Sequence, residues 1–427
     1  MAQLQPPAVQ SLIPEIVLAI VKIALEDVED VHLFPWPRYR DKIRPELNRL
    51  RRISRHWNDV ITGCPTLWKD VRMDLRCKDT TLALEAEYHR FRLCVGRCNN
   101  LSQNLYLISP GAEDYGSQSR DDEDDFEFDV GDWMDYVERP GLVQLILSSA
   151  KWRDVHVVLE NYVIFAWDIL CRQSYPHKTW EWLEALTLES EERIDLPESG
   201  RIHCSDIILV AENFPALRQV TLNFTQYSLK PWNFLWGQLT KLTLQNFVDS
   251  FRTYLDILGQ CKKLEEFHLT VGEAYIVDSE QSPLAITLPY LRKLSLKINV
   301  AFDIVEEFIN RLTLPALERF TLAFHESSER HTFGQDPFIS PLLDLVRRSR
   351  CSLLHLSLES LKVDEALFSQ LLVSSPSLQC LLFADTLKDI GGTILLHGGV
   401  VPEPMGIEEL KEEGWNVDVV YWAPSRW

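Results

Sequence analysis

Several features are scarce or absent in this sequence, and each absence excludes a class of protein. No apolar run reaches the ~18 residues that a membrane-spanning helix requires, so we expect no membrane partner. Residues 1–7 lack the basic start and apolar stretch of a secretory signal peptide. The nine cysteines show no paired spacing, which favours a reducing compartment, cytoplasmic or nuclear or both, over secretion.

Positive charge is also scarce. The chain has 43 basic and 63 acidic residues, a net charge of −20, which argues against nucleic acid as a partner because phosphates require cations. Residues 111–135 contribute half of this excess, with eleven carboxylates and only Arg120 to balance them. This acidic insertion is either a solvated, self-repelling loop or a docking strip for a basic partner. Its spacing does not fit a calcium-binding loop.

Catalytic and metal-binding motifs are missing. The sequence contains no Gly-x-Ser-x-Gly elbow, no His-Glu-x-x-His pair and no phosphate-binding loop. Cys94 and Cys98 are four residues apart, but no further cluster of cysteine or histidine completes a zinc site. Cys98, Cys261 and Cys351 each precede a predicted strand, where a small apolar side chain suits a tight turn. We therefore expect a non-enzymatic protein without metal or cofactor, and keep an unrecognised hydrolase as an alternative.

The pattern Leu-x-x-Leu-x-Leu, or a close variant, returns along most of the chain. It is clearest at residues 183–188, 239–244, 291–296 and 353–358. The second apolar position of each copy falls at Leu105, Val155, Leu186, Val220, Leu242, Phe267, Leu294, Phe320, Leu356 and Leu381. Mid-chain intervals lie close to the period of about 20–29 residues that is typical of leucine-rich repeats.

Each repeat combines a strand-like segment with a helix-like one. Apolar and polar residues alternate in the strand, and helical spacing follows at residues 251–258, 304–312 and 366–374. The predicted fold class is therefore α/β: an irregular leucine-rich-repeat solenoid over residues 73–385, with strands on the concave face and helices on the convex face. Residues 386–427 depart from the repeat and are predicted to form a C-terminal cap.

The outward strand positions are the candidate substrate-binding residues. The first row contains His156, Thr187, Thr221, Thr243, His268, Ser295, Thr321 and Ser357. The second row contains Glu189, Asn223, Gln245, Thr270, Lys297 and Glu359, together with Val158 and Ala323. Threonine also favours strands for structural reasons alone, so the rows do not identify a ligand.

The N-terminal part has a different pattern. After a flexible tail at residues 1–10, apolar residues at helical spacing predict three short helices within residues 11–72. Such a small helical module buries little surface by itself and is expected to lean on the solenoid, on a partner, or on both.

The residues of this module resemble a known family. Residues 12–16 are similar to the opening of an F-box, residues 50–60 to its central segment and residues 65–71 to its closing segment. Together with the repeats, the chain resembles F-box/leucine-rich-repeat proteins, especially the fungal group. It departs from them in the long link at residues 27–46.

The resemblance implies that the chain is the substrate-recognition subunit of an SCF-type ubiquitin ligase. The F-box would dock on a Skp-type adaptor, and through it on a cullin–RING ligase, while the repeats bind a protein substrate. The implied adaptor contacts are Leu12, Pro14, Ile16, Ile20, Leu50, Ile53, Val60, Leu67 and Trp68.

The same residues could instead form the module's own core. We expect Ile53 and Trp57 to be core residues, and Leu12, Pro14 and Trp68 to be partner contacts. The alternative function is a protein-interaction scaffold outside a ligase, with a vestigial or repurposed F-box.

Overall fold

The chain has an α/β fold in which helices lie before the first strand and between some of the later strands. The structure, a computed structural model, describes residues 12–29, 47–74, 81–98, 101–108, 151–158, 180–190, 213–224, 235–247, 249–272, 285–298, 302–324, 339–359, 370–371, 374–375, 377–378, 380–384, 392–397 and 416–421. The main helices are α1 (Pro14–Glu29), α2 (Arg55–Thr62), α3 (Thr81–Arg97), α4 (Phe251–Gln260), α5 (Phe302–Asn310) and α6 (Ile339–Ser349).

Most strands belong to one sheet of thirteen strands, in which neighbours follow sequence order. Its strands are β1 (Asp70–Asp74), β2 (Gln103–Ile108), β3 (Trp152–Val158), β4 (Ala185–Ser190), β5 (Gln219–Phe224), β6 (Lys241–Gln245), β7 (Glu266–Val271), β9 (Lys293–Ile298), β11 (Arg319–Phe324), β12 (His355–Glu359), β13 (Cys380–Ala384), β14 (Gly392–His397) and β15 (Asn416–Tyr421). The short strands β8 (Ile286–Thr287) and β10 (Leu312–Thr313) pair separately.

Pairing is parallel from β1 to β13 and antiparallel for β14 and β15. Both antiparallel strands lie within residues 386–427, the segment that the sequence predicts to form a C-terminal cap. The sheet starts at Asp70, inside the segment that the sequence assigns to the helical module. The acidic insertion at residues 111–135 lies outside the part of the chain that the structure describes.

The register confirms the predicted alignment of the repeats. All ten second apolar positions are partners in one row, from Leu105 opposite Val155 to Leu356 opposite Leu381. Val71, opposite Leu105, adds an earlier position that the sequence pattern does not reveal, because its strand has only two apolar residues. Strand residues alternate between faces, so one face of the sheet is apolar and the other is polar.

Helices cover the apolar face where the repeats are most regular. The helices predicted at residues 251–258 and 304–312 correspond to α4 and α5. The third predicted helix, at residues 366–374, lies mostly outside the part of the chain that the structure describes. Phe251 of α4 meets Phe308 of α5 with ring centroids 4.8 Å apart. These rings and the leucines beneath them belong to a single hydrophobic cluster, which leaves the polar face of the sheet uncovered by helices α4 and α5.

Polar side chains of α6 complete the backbone hydrogen bonding of the preceding repeat. Arg348 donates from Nε to the carbonyl oxygen of Leu312 at 2.9 Å and from Nη2 to that of Ile309 at 3.0 Å. The backbone N–H of Leu314 donates to the Ser349 hydroxyl at 2.9 Å. Neighbouring repeats are therefore joined by directed contacts as well as by apolar packing, since buried backbone groups require partners.

Candidate interaction surfaces

Four isoleucines form an exposed stripe along α1 and the residue before it. The side chains of Ile13, Ile16, Ile20 and Ile23 are 55%, 43%, 38% and 60% exposed. Their spacing of three and four residues places them on one side of the helix. We call these four residues the isoleucine stripe.

The neighbouring side of α1 is buried. Val17 and Val21 are fully buried in the same cluster as Trp57 and Ile61 of α2. The helix therefore has two apolar surfaces, one packed in the core and one open to solvent. A surface helix that only covers its own core needs a single apolar stripe, so packing within the described residues does not explain the second one.

Ile53, in the turn before α2, is a further exposed apolar residue. Its side chain is 46% exposed, so the expectation that it belongs to the core is wrong. Ser54, the next residue, accepts a hydrogen bond from the Trp57 backbone N–H at 3.2 Å and caps α2. His56 Nε2 donates to the Leu12 carbonyl oxygen at 2.7 Å, which holds the start of α2 against the start of α1.

Trp68 was expected to contact a partner, but the structure places it in the core. Its side chain is only 7% exposed, and its ring Nε1–H donates to the Ile61 carbonyl oxygen at 3.0 Å. The Arg97 guanidinium carbon lies 4.4 Å from the ring centroid. Trp68 is internal because β1 begins two residues later, which draws this segment between the helices and the sheet.

The other implied adaptor contacts fall into three groups. Leu50 is buried and is a core residue, like Trp57, whose predicted burial is confirmed. Leu12, Val60 and Leu67 are half-buried and pack against the core. Pro14, Ile16, Ile20 and Ile53 remain exposed. The accessible part of the predicted set is thus mostly α1 and the turn before α2.

The two predicted rows on the polar face of the sheet are aligned as expected. His156, Thr187, Thr221, Thr243, His268, Ser295, Thr321 and Ser357 are successive register partners. So are Val158, Glu189, Asn223, Gln245, Thr270, Lys297, Ala323 and Glu359. Most of these side chains are half-buried by their neighbours, but Val158, Thr243 and Ala323 are buried and Lys297 is exposed. The side chain of Glu359 is outside the description.

A third row on this face was missed by sequence reasoning. Two positions before the first row, register partners are Asn104, Asp154, Ala185, Gln219, Lys241, Glu266, Lys293, Arg319 and His355. We call this the charged row. Charges at strand starts are common on solvated surfaces, so only the pairing register could have revealed that these residues lie side by side.

Cations dominate the charged row between β6 and β11. Lys241 Nζ lies 3.5 Å from Glu266 Oε2. Burial alone would raise the pKa of Glu266, but Lys241 and Lys293 together hold it below its ordinary value. The carboxylate therefore stays ionised and is shared by two lysines, which leaves this part of the row with net positive charge.

The two histidines beside these cations are neutral at physiological pH. Burial lowers the pKa of His268, and Lys293 and Lys241 lower it further despite Glu266 at 3.6 Å. Burial also lowers the pKa of His355, with Arg319 contributing. The positive charge of this half of the face therefore comes from lysine and arginine.

The opposite half of the face has a different character. His156 Nε2 lies 3.5 Å from Glu189 Oε2, and its ring packs 5.7 Å from that of Tyr106. Asp154 belongs to the same strand as His156. Carboxylates accompany the aromatic rings here, so charge changes sign from one half of the polar face to the other.

Buried cysteines occupy the structural positions that the sequence predicts. Cys98, Cys261 and Cys351 are buried, and Cys98 Sγ donates to the Trp68 carbonyl oxygen at 2.8 Å. Burial raises the pKa of Cys98 and of Cys261 to about 12. Among the described residues, no group of three or more His, Cys, Asp or Glu side chains could hold a metal ion.

These pKa values predict slow alkylation of the folded chain. At pH 8 a raised pKa leaves less thiolate, so Cys98 and Cys261 should react with iodoacetamide at least ~100-fold more slowly than in the urea-unfolded chain. Peptide mass spectrometry of timed samples measures both rates. Equal rates in the folded and unfolded chains would contradict the burial of these thiols.

Comparison with known proteins gives little further information. No family model and no curated protein matches the chain. A crystal structure of a structural-genomics target from Bacteroides fragilis is similar over 47% of this chain and 58% of that chain, with 17% sequence identity and a TM-score of 0.32. In the part of the chain that the structure describes, no helix combines the length and apolarity needed to span a membrane.

Proposed function

We propose that the chain is the substrate-recognition subunit of an SCF-type ubiquitin ligase. In this proposal the N-terminal helices are an F-box that docks on a Skp-type adaptor. The repeats are a leucine-rich-repeat solenoid whose polar sheet face binds the protein to be ubiquitylated. The chain itself performs no chemistry, and transfer of ubiquitin is carried out by the cullin–RING ligase that the adaptor recruits.

The observation that carries this proposal is the exposed isoleucine stripe, together with the exposed Ile53 before α2. These side chains lie on two elements of the N-terminal helical segment, and each is at least 38% exposed. Exposed apolar clusters of this kind mark protein–protein contacts, because water leaves them favourably on association. They coincide with the segments at residues 12–16 and 50–60 that resemble an F-box.

The form of the sheet supports the second half of the proposal. Its neighbours follow sequence order, as expected when each repeat packs only on the repeats beside it. The polar face extends across all the strands from β3 to β12 without a helix among the described residues packing on it. A long open face suits recognition of another protein better than conversion of a small substrate, which usually requires a deep pocket.

The test is binding of the purified full-length chain to a purified Skp-type adaptor. Replacing Ile16 and Ile20 with glutamate places two charges where apolar contact is needed, so binding is expected to weaken at least ~100-fold. The control Lys22→Glu changes the net charge by the same amount on the same helix, at an exposed position away from the stripe. Isothermal titration calorimetry measures both affinities.

The results separate the proposal from its alternatives. Tight binding by the unchanged chain, lost in the double variant and kept in Lys22→Glu, supports the adaptor contact. No binding by the unchanged chain rejects the ligase function. Adaptor binding without recruitment of a cullin would assign the chain to the class of scaffolds outside a ligase.

A further inference from the structure

We propose that the polar face of the sheet between β6 and β11 binds an extended segment of the target protein that is rich in carboxylates. This inference assigns a substrate class to the proposed ligase subunit. It rests on the proposed function, because the bound segment is taken to belong to the protein that the ligase modifies. The binding surface is the basic patch, defined as Lys241, Lys293, Lys297 and Arg319.

The basic patch is a local reversal of the charge of the protein. The chain has a net charge of −20, yet four cations on three strands share the three rows there with one carboxylate, Glu266, while Glu318, beside Arg319, pairs with Arg292 at 3.8 Å. Lys293 and Arg319 are register partners on neighbouring strands, and Lys297 lies on the same strand as Lys293. Cations gathered on one face of an acidic protein create a local field that selects an anionic partner.

Most of these cations have no close ion-pair partner among the described residues. Lys241 pairs with Glu266 at 3.5 Å. By contrast, Lys293, Lys297 and Arg319 form no ion pair within 4.0 Å among the residues that the structure describes. None of these three cations has to break an ion pair within 4.0 Å with a described residue before it contacts an external carboxylate, although Lys293 also attracts the Glu266 carboxylate.

The dimensions of the patch favour a peptide segment over a small anion. Lys293 and Lys297 are four residues apart along a strand, which corresponds to ~13 Å, and neighbouring strands are ~4.8 Å apart. No single carboxylate reaches across that distance. An extended segment of four or five residues does, because its rise per residue is ~3.3 Å.

Neutral hydrogen-bonding groups occupy the space between the cations. Ser295 lies between Lys293 and Lys297 on β9, and Thr321 is its register partner on β11. Both side chains are half-exposed. Their hydroxyls can donate to carboxylate oxygens and accept from the backbone of a bound segment, so the patch offers directional contacts in addition to charge.

The other half of the face discriminates against the same ligand. Asp154 and Glu189 lie on β3 and β4, and would repel an acidic segment placed over them. Repulsion at one end and attraction at the other fix where along the sheet the segment binds. Specificity of this kind needs both the favourable and the unfavourable element.

Fluorescence anisotropy of the full-length chain tests the proposal without the adaptor. The probe is a fluorescein-labelled peptide of alternating glutamate and serine, about twelve residues long, which suffices to cross the patch. The triple variant Lys293→Gln, Lys297→Gln, Arg319→Gln should bind it at least ~10-fold more weakly, since three partly exposed charge pairs are lost. Raising the salt concentration should weaken binding by the unchanged chain.

The matched control removes three cations elsewhere. Lys262 and Lys263 lie in the turn before β7, and Arg347 lies on α6; all three are exposed. Their replacement by glutamine changes the net charge equally and should alter the affinity less than ~2-fold. A probe with glutamine in place of glutamate should not bind measurably.

Four results would overturn the proposal. The first is that both triple variants lower the affinity for the probe equally, and the second is that the glutamine probe binds as tightly as the glutamate probe. The third is that a single-stranded oligonucleotide binds more tightly than the probe through the same residues. The fourth is that the probe binds only after residues 111–135 are deleted. The last result would make the chain's own acidic insertion the occupant. Because the adaptor is absent, failure here leaves the adaptor-binding result unchanged, and the reverse also holds.

Discussion

Replacing Trp68 with alanine is expected to lower the free energy of unfolding by about 3–5 kcal/mol, the usual cost of removing a large buried aromatic side chain. The ring lies between the N-terminal helices and the sheet, and the variant loses its hydrogen bond to the Ile61 carbonyl oxygen. It also removes the aromatic surface beneath the Arg97 guanidinium. Urea denaturation followed by far-ultraviolet circular dichroism measures the change.

The variant Trp68→Phe separates packing from hydrogen bonding. Phenylalanine keeps most of the buried ring but cannot donate to Ile61, so the expected loss is about 1–3 kcal/mol. If Trp68→Ala cost less than ~1 kcal/mol, the helices would not depend on this residue for their attachment to the sheet.

Replacing Leu294 with alanine is expected to cost about 2–5 kcal/mol of unfolding free energy. Leu294 is fully buried, and its register partners Phe267 and Phe320 are equally inaccessible. The flanking strands hold their spacing through the backbone, so a cavity left by the missing side chain closes poorly. Urea denaturation of the full-length chain provides the measurement.

The neighbouring residue supplies the control for Leu294. Ser295 follows it on the same strand but faces the polar side of the sheet, where its side chain is half-exposed. Ser295→Ala is expected to change the free energy of unfolding by less than ~0.5 kcal/mol. Similar effects from both variants would contradict the alternation of buried and exposed positions along β9.

Sequence reasoning predicted the repeat strands well because two independent signals agree there. Alternation with period two indicates a strand, and return of the same pattern indicates which strands are equivalent. Equivalent positions such as Leu242 and Phe267 then become register partners. The strand position of Val71 was not predicted, because the segment before it has helical spacing and its own strand shows little alternation.

Sequence reasoning failed where orientation depends on tertiary packing. Ile53 and Trp68 both fit helical spacing, yet one is exposed and the other buried. Their positions are decided by how the short helices lean on β1 and α3, which spacing along a single helix does not encode. The basic patch was not predicted for a related reason, since Lys293 and Arg319 are far apart in sequence and become neighbours only through strand pairing.

The sequential strand order also has a consequence for how the chain folds. Each parallel strand finds its partner in the neighbouring repeat, so most loops that must close are short, and low contact order favours rapid folding. The pairing of β2 with β3 spans the longest stretch of sequence among the parallel pairs. Formation of this pair therefore carries the largest loop-closure entropy, and we expect it to be the slowest of the parallel pairings to form.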